Sequence, residues 1–244
     1  MSTLIGALIG AMLAGGGAAG TAPTKAKLEP LASESLRKQA AAALAGLARP
    51  VRLVVFTRTV GNTHLNEPAL GLARGLAELS SMLAVESHDL DADGDRADAM
   101  GVDKAPAIVV VGERDHGVRF CGVPGGRELE ALLAAIRRVA ARDSGLTDAS
   151  RKALAALRVP VHIEVFVTLD CAYCSGAVAM AHQLAIESDK VVADMVEFSA
   201  FSDLGKAYGL RSVPTVLVNG KTASVGAKSE SDFVASVVEA AATE

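Results

Sequence analysis

Val161-His162-Ile163-Glu164-Val165-Phe166-Val167-Thr168-Leu169-Asp170-Cys171-Ala172-Tyr173-Cys174 carries an apolar strand pattern straight into a pair of cysteines two residues apart. A helix pattern, Ser175 to Ile186, follows at once, and downstream Ser212-Val213-Pro214-Thr215 opens a further strand. A dithiol at a strand-to-helix junction points to thiol–disulfide exchange. The attacking species is a thiolate. A thiol just ahead of a helix gains stabilisation of its anion from the unpaired N–H groups and dipole of the first turn. Cys171 is therefore the expected nucleophile, and Cys174, one turn further on, the buried resolving thiol. Other readings of the pair are a zinc or shared iron–sulfur site and an inert pair. Zinc commonly takes four ligands; the chain has no second CxxC, and the nearest histidines, His162 and His182, have no ligand spacing. No metal ligand set is assigned.

Outward from this stretch, the chain repeats itself. Arg49-Pro50 leads into Val51-Arg52-Leu53-Val54-Val55-Phe56-Thr57 as Val159-Pro160 leads into Val161 to Val167. Pro50 and Pro160 are 110 residues apart (160 − 50), as are Phe56 and Phe166 (166 − 56). Ala105-Pro106-Ala107-Ile108-Val109-Val110-Val111 echoes Val213-Pro214-Thr215-Val216-Leu217-Val218 at an offset of 108 (214 − 106). Each half reads helix, strand, helix, strand, helix, strand, strand, helix. The first opens with an Ala/Leu-rich helix from Ser35-Leu36-Arg37-Lys38 and has strands at 51–57, 82–88, 107–111 and 117–121 and further helices near 67–80, 96–100 and 127–141. The second opens with an Ala/Leu helix from Ser150-Arg151-Lys152 and has strands at 161–167, 191–198, 215–218 and 222–225 and further helices at 175–186, 204–208 and 230–241. Near-continuous Val/Ile/Leu strands imply a sheet covered by helices on both faces, hence an α/β class. The domain reading is an arm and linker over 1–30, a non-catalytic domain over 31–143 and a catalytic one over 144–244. The 110-residue offset sets Gly61 and His64 where the second half has Cys171 and Cys174, so the first half cannot do the exchange.

Composition agrees. At 244 residues there is room for two domains. Half the chain is hydrophobic, yet it has no Trp, two Tyr and six Phe, so its cores rest on Ala, Val and Leu. A net charge of −4 shows no nucleic-acid footprint. Three cysteines make no disulfide framework. Cys121 reads as a buried small hydrophobe, the alternative being a relay thiol. The run Leu4 to Ala14 is apolar but too short to span a bilayer, and Met1-Ser2-Thr3 lacks the basic residues of an export signal. Its readings are an arm that docks a partner or the body of the protein, an export signal or membrane tether, and a disordered extension. Gly15 to Gly20 reads as a hinge. The location expected is cytoplasmic, with export or tethering as the alternative.

The paired halves, the Arg-Pro-Val strand, Gly117-Val118-Arg119-Phe120-Cys121-Gly122-Val123-Pro124-Gly125-Gly126-Arg127-Glu128-Leu129, and Cys-Ala-Tyr-Cys followed by Ser-Val-Pro resemble the glutaredoxin-like protein disulfide oxidoreductases and the N-terminal domain of the alkyl hydroperoxide reductase flavoprotein subunit. The resemblance covers about residues 30 to 240 and implies two tandem thioredoxin-like folds, a mixed sheet flanked by helices, the first fold lacking the dithiol. It implies a Cys171–Cys174 redox disulfide with no other cofactor, and a cis Pro214 that, with Val213 and Tyr173, lines the substrate site. Read without the family, Pro214 begins an edge strand. The implied partners are protein disulfides, such as that of a peroxiredoxin, and a flavin-dependent, thioredoxin-reductase-like electron donor. Glu164 is the candidate proton relay. In thioredoxin the acid lies one residue nearer the first cysteine, where this chain has Val165, and strand alternation then turns Glu164 to the other face. The alternative is a solvated or interdomain-paired carboxylate. A non-enzymatic adaptor docking through the silent half and the arm is the competing function.

Overall fold

The computed structural model describes residues 24–242. The apolar run Leu4 to Ala14 and the glycine hinge lie outside the described residues. Strands are β1 Val51–Thr57, β2 Leu83–Asp89, β3 Ala107–Val111, β4 Asp115–Cys121, β5 Val161–Val167, β6 Val191–Glu197, β7 Thr215–Val218 and β8 Lys221–Val225. Helices are α1 Lys25–Leu28, α2 Glu34–Leu44, α3 Asn66–Ala77, α4 Gly94–Ala99, α5 Glu128–Ala141, α6 Asp148–Ala155, α7 Cys174–Glu187, α8 Ser202–Ala207 and α9 Glu230–Ala241. Short 3₁₀ turns at Pro30–Ala32 and Thr63–Leu65 complete the path. Most expected elements occur within two or three residues of their anticipated ends, the usual scatter of helix termini. Only α1 and the 3₁₀ turns have no counterpart in the sequence reading.

All eight strands join one mixed sheet in the order β2-β1-β3-β4-β6-β5-β7-β8. Within the first half β1 is parallel to β2 and antiparallel to β3, which is antiparallel to β4. Within the second, β5 has the same relations to β6 and β7, and β7 to β8. The halves meet through parallel pairing of β4 with β6, Val118 opposite Ala193 and Cys121 opposite Val196. The β7–β8 turn places Asn219 and Gly220 at φ 48° and 77°, the left-handed conformations an Asn-Gly hairpin turn requires.

Alternation divides the core between two faces. Leu53, Val55, Phe120, Ile163, Val165 and Met195 meet the longer helices in the main core. Val54, Phe56, Val109, Cys121, Phe166 and Leu217 form a smaller core with Ala97 and Leu204 of α4 and α8. Helix α7 carries buried residues over most of its surface, as a helix sandwiched by neighbours must. Ser33, Thr147 and Ser229 cap α2, α6 and α9, each side chain accepting from a first-turn N–H. Among the described residues no helix is long and apolar enough to cross a membrane.

Candidate active site

Strand β5 ends at Val167, and the turn Thr168–Tyr173 brings the dithiol round to α7. The Cys171 N–H donates to Thr168 O at 3.1 Å. Helix α7 starts at Cys174, so Cys171 stands in the turn before the helix rather than at its first residue. The two sulfurs are bonded, with the Cα atoms 5.4 Å apart. Cys174 is fully buried in the main core, Cys171 is half-buried at its margin, and Tyr173 between them is 67% exposed. The first turn of α7 has no side-chain cap and no acidic residue. Its N–H groups and positive dipole end are therefore free to favour an anion at the turn.

The Val213–Pro214 bond is cis, and Cys171 Sγ lies 4.0 Å from Val213 O. The cis turn is tied at both ends: Thr215 Oγ1 donates to Ser212 O at 2.7 Å and the Gly226 N–H to Pro214 O at 2.8 Å. Pro214 does not begin an edge strand, since β7 is paired on both sides, by β5 and β8. Cys171, Cys174, Tyr173, Val213 and Pro214 are thus brought to one place. The Ala105–Pro106 bond is cis as well. In the same half, Asn62 Nδ2 donates to Ala200 O at 2.6 Å, so a loop of the second half meets the segment matched to the dithiol.

Glu164 does not join the dithiol. It lies on the sheet face opposite the one where Ile163, Val165 and Cys174 enter the main core. There it is buried and paired with Lys104 Nζ at 3.2 Å, and Tyr208 OH donates to it at 3.4 Å. The relay expectation gives way to its alternative, a carboxylate paired across the two halves. Lys104, only 7% exposed, also meets Asp194 at 3.2 Å and Asp103 at 2.7 Å. Register explains the cluster: Glu164 and Arg119 are both opposite Asp194 on neighbouring strands. Burial would lower the Lys104 pKa, but the surrounding acids hold it well above the usual lysine value. Burial would likewise raise Asp194, yet the His162 hydrogen bond at 3.0 Å and the Lys104 charge hold it at about 2. His162, Glu164 and Asp194 place ligand-type atoms within 4.8 Å of one another, a grouping their sequence spacing hides. The Lys104 ammonium already supplies the cation there. Cys121 is buried in the smaller core, away from the face that holds Cys174. His182 is buried too, and burial pushes it down to about 4.

One titratable residue beside the dithiol loop escapes a sequence reading. Glu128 opens α5 and is fully buried, with neither carboxylate oxygen hydrogen-bonded. Burial pushes its pKa up to about 8. The residue before it, Arg127, donates its N–H to Leu169 O at 3.1 Å, two residues ahead of Cys171. The start of α5 is seated so closely that a Cβ on Gly126 would lie 2.5 Å from Leu169 O. Helix α5 then packs along α7.

A sequence profile of the Thioredoxin domain family matches residues 161–239, the half that carries the dithiol. The structure superposes on a protein disulfide oxidoreductase of Aeropyrum pernix with a TM-score of 0.80 and 32% identity, covering 87% of this chain and 94% of that one. It superposes on the N-terminal domain of the alkyl hydroperoxide reductase AhpF of Enterococcus faecalis with a TM-score of 0.76 and 26% identity, covering 84% and 99% of the two chains. Curated relatives include a Bacillus subtilis protein named NADH dehydrogenase, 26% identical over 71% of this chain. The corresponding alkyl hydroperoxide reductase protein of Pseudomonas aeruginosa is 22% identical over 85%. The chain spans about a third of the length of these curated relatives, 32% and 37%. With the bonded cysteine pair, the fold and these likenesses in hand, the chain belongs to the thioredoxin-fold protein disulfide oxidoreductase family and is similar to the N-terminal domain of AhpF.

Proposed function

We propose that this chain reduces disulfides in partner proteins through the Cys171–Cys174 couple. The observation that carries the reading is the asymmetry of the pair: one sulfur at the margin beside cis Val213–Pro214, its partner fully buried at an uncapped helix start. Cys171 thiolate attacks a substrate disulfide, forming a mixed disulfide and releasing one substrate thiolate. Cys174 thiolate then attacks Cys171, releasing the second thiolate and leaving the Cys171–Cys174 disulfide. Two electrons pass to the substrate, and a dithiol or flavin-dependent reductase must return them.

In this reading residues 31–143 and 144–244 are two tandem thioredoxin-like domains, the first without a dithiol, and no cofactor beyond the redox disulfide is needed. Tyr173, Val213 and Pro214 line the substrate site. The likeness to AhpF suggests a peroxiredoxin-type disulfide as substrate, a thioredoxin-reductase-like flavoprotein as donor, and a cytoplasmic setting.

The test is turnover of a peptide disulfide with dithiothreitol as donor. Cys171→Ser abolishes turnover, and Cys174→Ser accumulates the mixed disulfide at Cys171. Turnover surviving Cys171→Ser would sink the proposal. A reduction potential near the thioredoxin value of about −270 mV fits a reductant, whereas one near −120 mV makes the chain a disulfide donor.

A further inference from the structure

The dithiol loop is bounded by more than the second half. Asp170, immediately before Cys171, is ion-paired with Lys27 of α1, whose Nζ donates to Asp170 Oδ2. Lys27 is the shielded member of the pair, its side chain 25% exposed against 69% for Asp170. The Lys27 backbone is fixed as well: its carbonyl rests on Gly125, where any Cβ would overlap it. Just after it the segment is anchored by Leu28 and Leu31, which pack on the main core, Leu31 lying over Gly75. An ammonium held by side chain and backbone together differs from a free surface lysine.

A carboxylate beside a thiol opposes its ionisation, and a fixed cation on that carboxylate offsets the effect. We infer that Lys27 is a positioning residue of the redox site: by neutralising Asp170 and clamping the loop, it sustains the Cys171 thiolate. The inference rests on the reading of Cys171 as the nucleophile. It makes a residue ahead of the first half a determinant of reactivity in the second. The other charged or titratable groups on segments packed against this loop are Lys25 and Glu29 at α1, which pair with each other, Arg127 and Glu128 at the start of α5, Tyr173 in the loop and Arg211 ahead of Val213. None of them is paired with Asp170.

The experiment follows alkylation of Cys171 by iodoacetamide against pH, in the reduced full-length protein with Cys174→Ser. Four forms are compared: Lys27, Lys27→Met, Lys27→Arg and Lys27→Met with Asp170→Asn. Lys27→Met is expected to lower the thiolate fraction at neutral pH about two- to fivefold, the range of an ion pair at a protein surface. Lys27→Arg retains the original profile, and adding Asp170→Asn to Lys27→Met restores it. The difference shrinks in 1 M salt. An unchanged profile in Lys27→Met overturns the inference. So does a change of the same size that persists with Asp170→Asn, because Lys27 would then act through packing alone. Alkylation reads the thiol itself, so the clamp is tested whether or not the chain turns over substrate. Failed turnover with an intact Lys27 effect counts against the proposed function only.

Discussion

Replacing Glu128 by Gln should remove the pH dependence that this residue imposes on stability. A carboxylic acid with an ordinary value of 4.5 is held at about 8 by burial, with no hydrogen bond to either oxygen. The native state therefore binds a proton the unfolded chain has released between those values. Where the native state binds more protons, stability falls as pH rises. The penalty is absent below pH 4.5, grows through the window and is complete above about 8. Each pH step is worth about 1.4 kcal/mol, so at pH 7 the cost is on the order of 3 kcal/mol. Gln does not titrate, and its unbonded amide costs the same at every pH. The stability of Glu128→Gln minus that of the wild type, from urea unfolding at constant salt, should thus climb from pH 5 to pH 8 by several kcal/mol. A difference that stays flat across this range would show that Glu128 is either hydrated or paired.

Lys104→Met removes the ammonium shared by buried Glu164 and Asp194 and leaves Asp194 only Arg119 and His162, a loss of about 3–5 kcal/mol for a broken buried pair. It should show in urea unfolding at pH 7 and be largely relieved by Asp194→Asn in the same chain, with Cys171 alkylation unchanged. Asp194 is held below its ordinary 3.8, at about 2. Its contribution is present above 3.8 and lost as pH falls toward 2, so acid unfolding of Asp194→Asn should begin from a lower plateau but with a shallower slope. Gly126→Ala strains a residue at φ 54° and sets a Cβ 2.5 Å from Leu169 O, at a cost of about 1–3 kcal/mol. Slower reduction of the dithiol with little change in secondary structure, read by circular dichroism, is the expected outcome.

The fold was legible because its signals are local. Val161 to Val167 reads as a buried strand from its own residues, Asn219-Gly220 announces a hairpin, and the recurrence of Pro50 as Pro160 declares the repeat. The dithiol was legible for the same reason, whereas the cis Pro214 was implied only by the family resemblance. The electrostatics were not. Lys104 sits in Asp103-Lys104-Ala105-Pro106, which reads as a solvated loop; only the β4–β6 junction turns it inward to Glu164 and Asp194. Glu128 follows two glycines and an arginine, a context that suggests an exposed helix start, and its burial depends on how α5 docks beside Leu169. Lys27 and Asp170 are 143 residues apart, and no periodicity links them. Glu164 is a partial exception: it lies one residue off the relay position, and strand alternation alone turned it to the opposite face, where Lys104 pairs with it.

The parallel seam between β4 and β6 has a consequence for aggregation. Four-stranded sheets standing apart would expose four open ladders; fused, they expose only β2 and β8. An exposed ladder is a template for pairing with another chain. Both outer strands carry charge, with Glu86 of β2 paired to Arg52 of β1 and Arg96 of α4 and Lys221 at the start of β8. The strands at the seam are nearly all buried, and the charges they carry, Arg119 and Asp194, face each other across it. A dithiol half cut free at the seam would keep its cysteines but gain an adhesive flank, with Asp194 stripped of Lys104. The half without the dithiol therefore guards the half that carries it, and it cannot be shed without a new cover for β6.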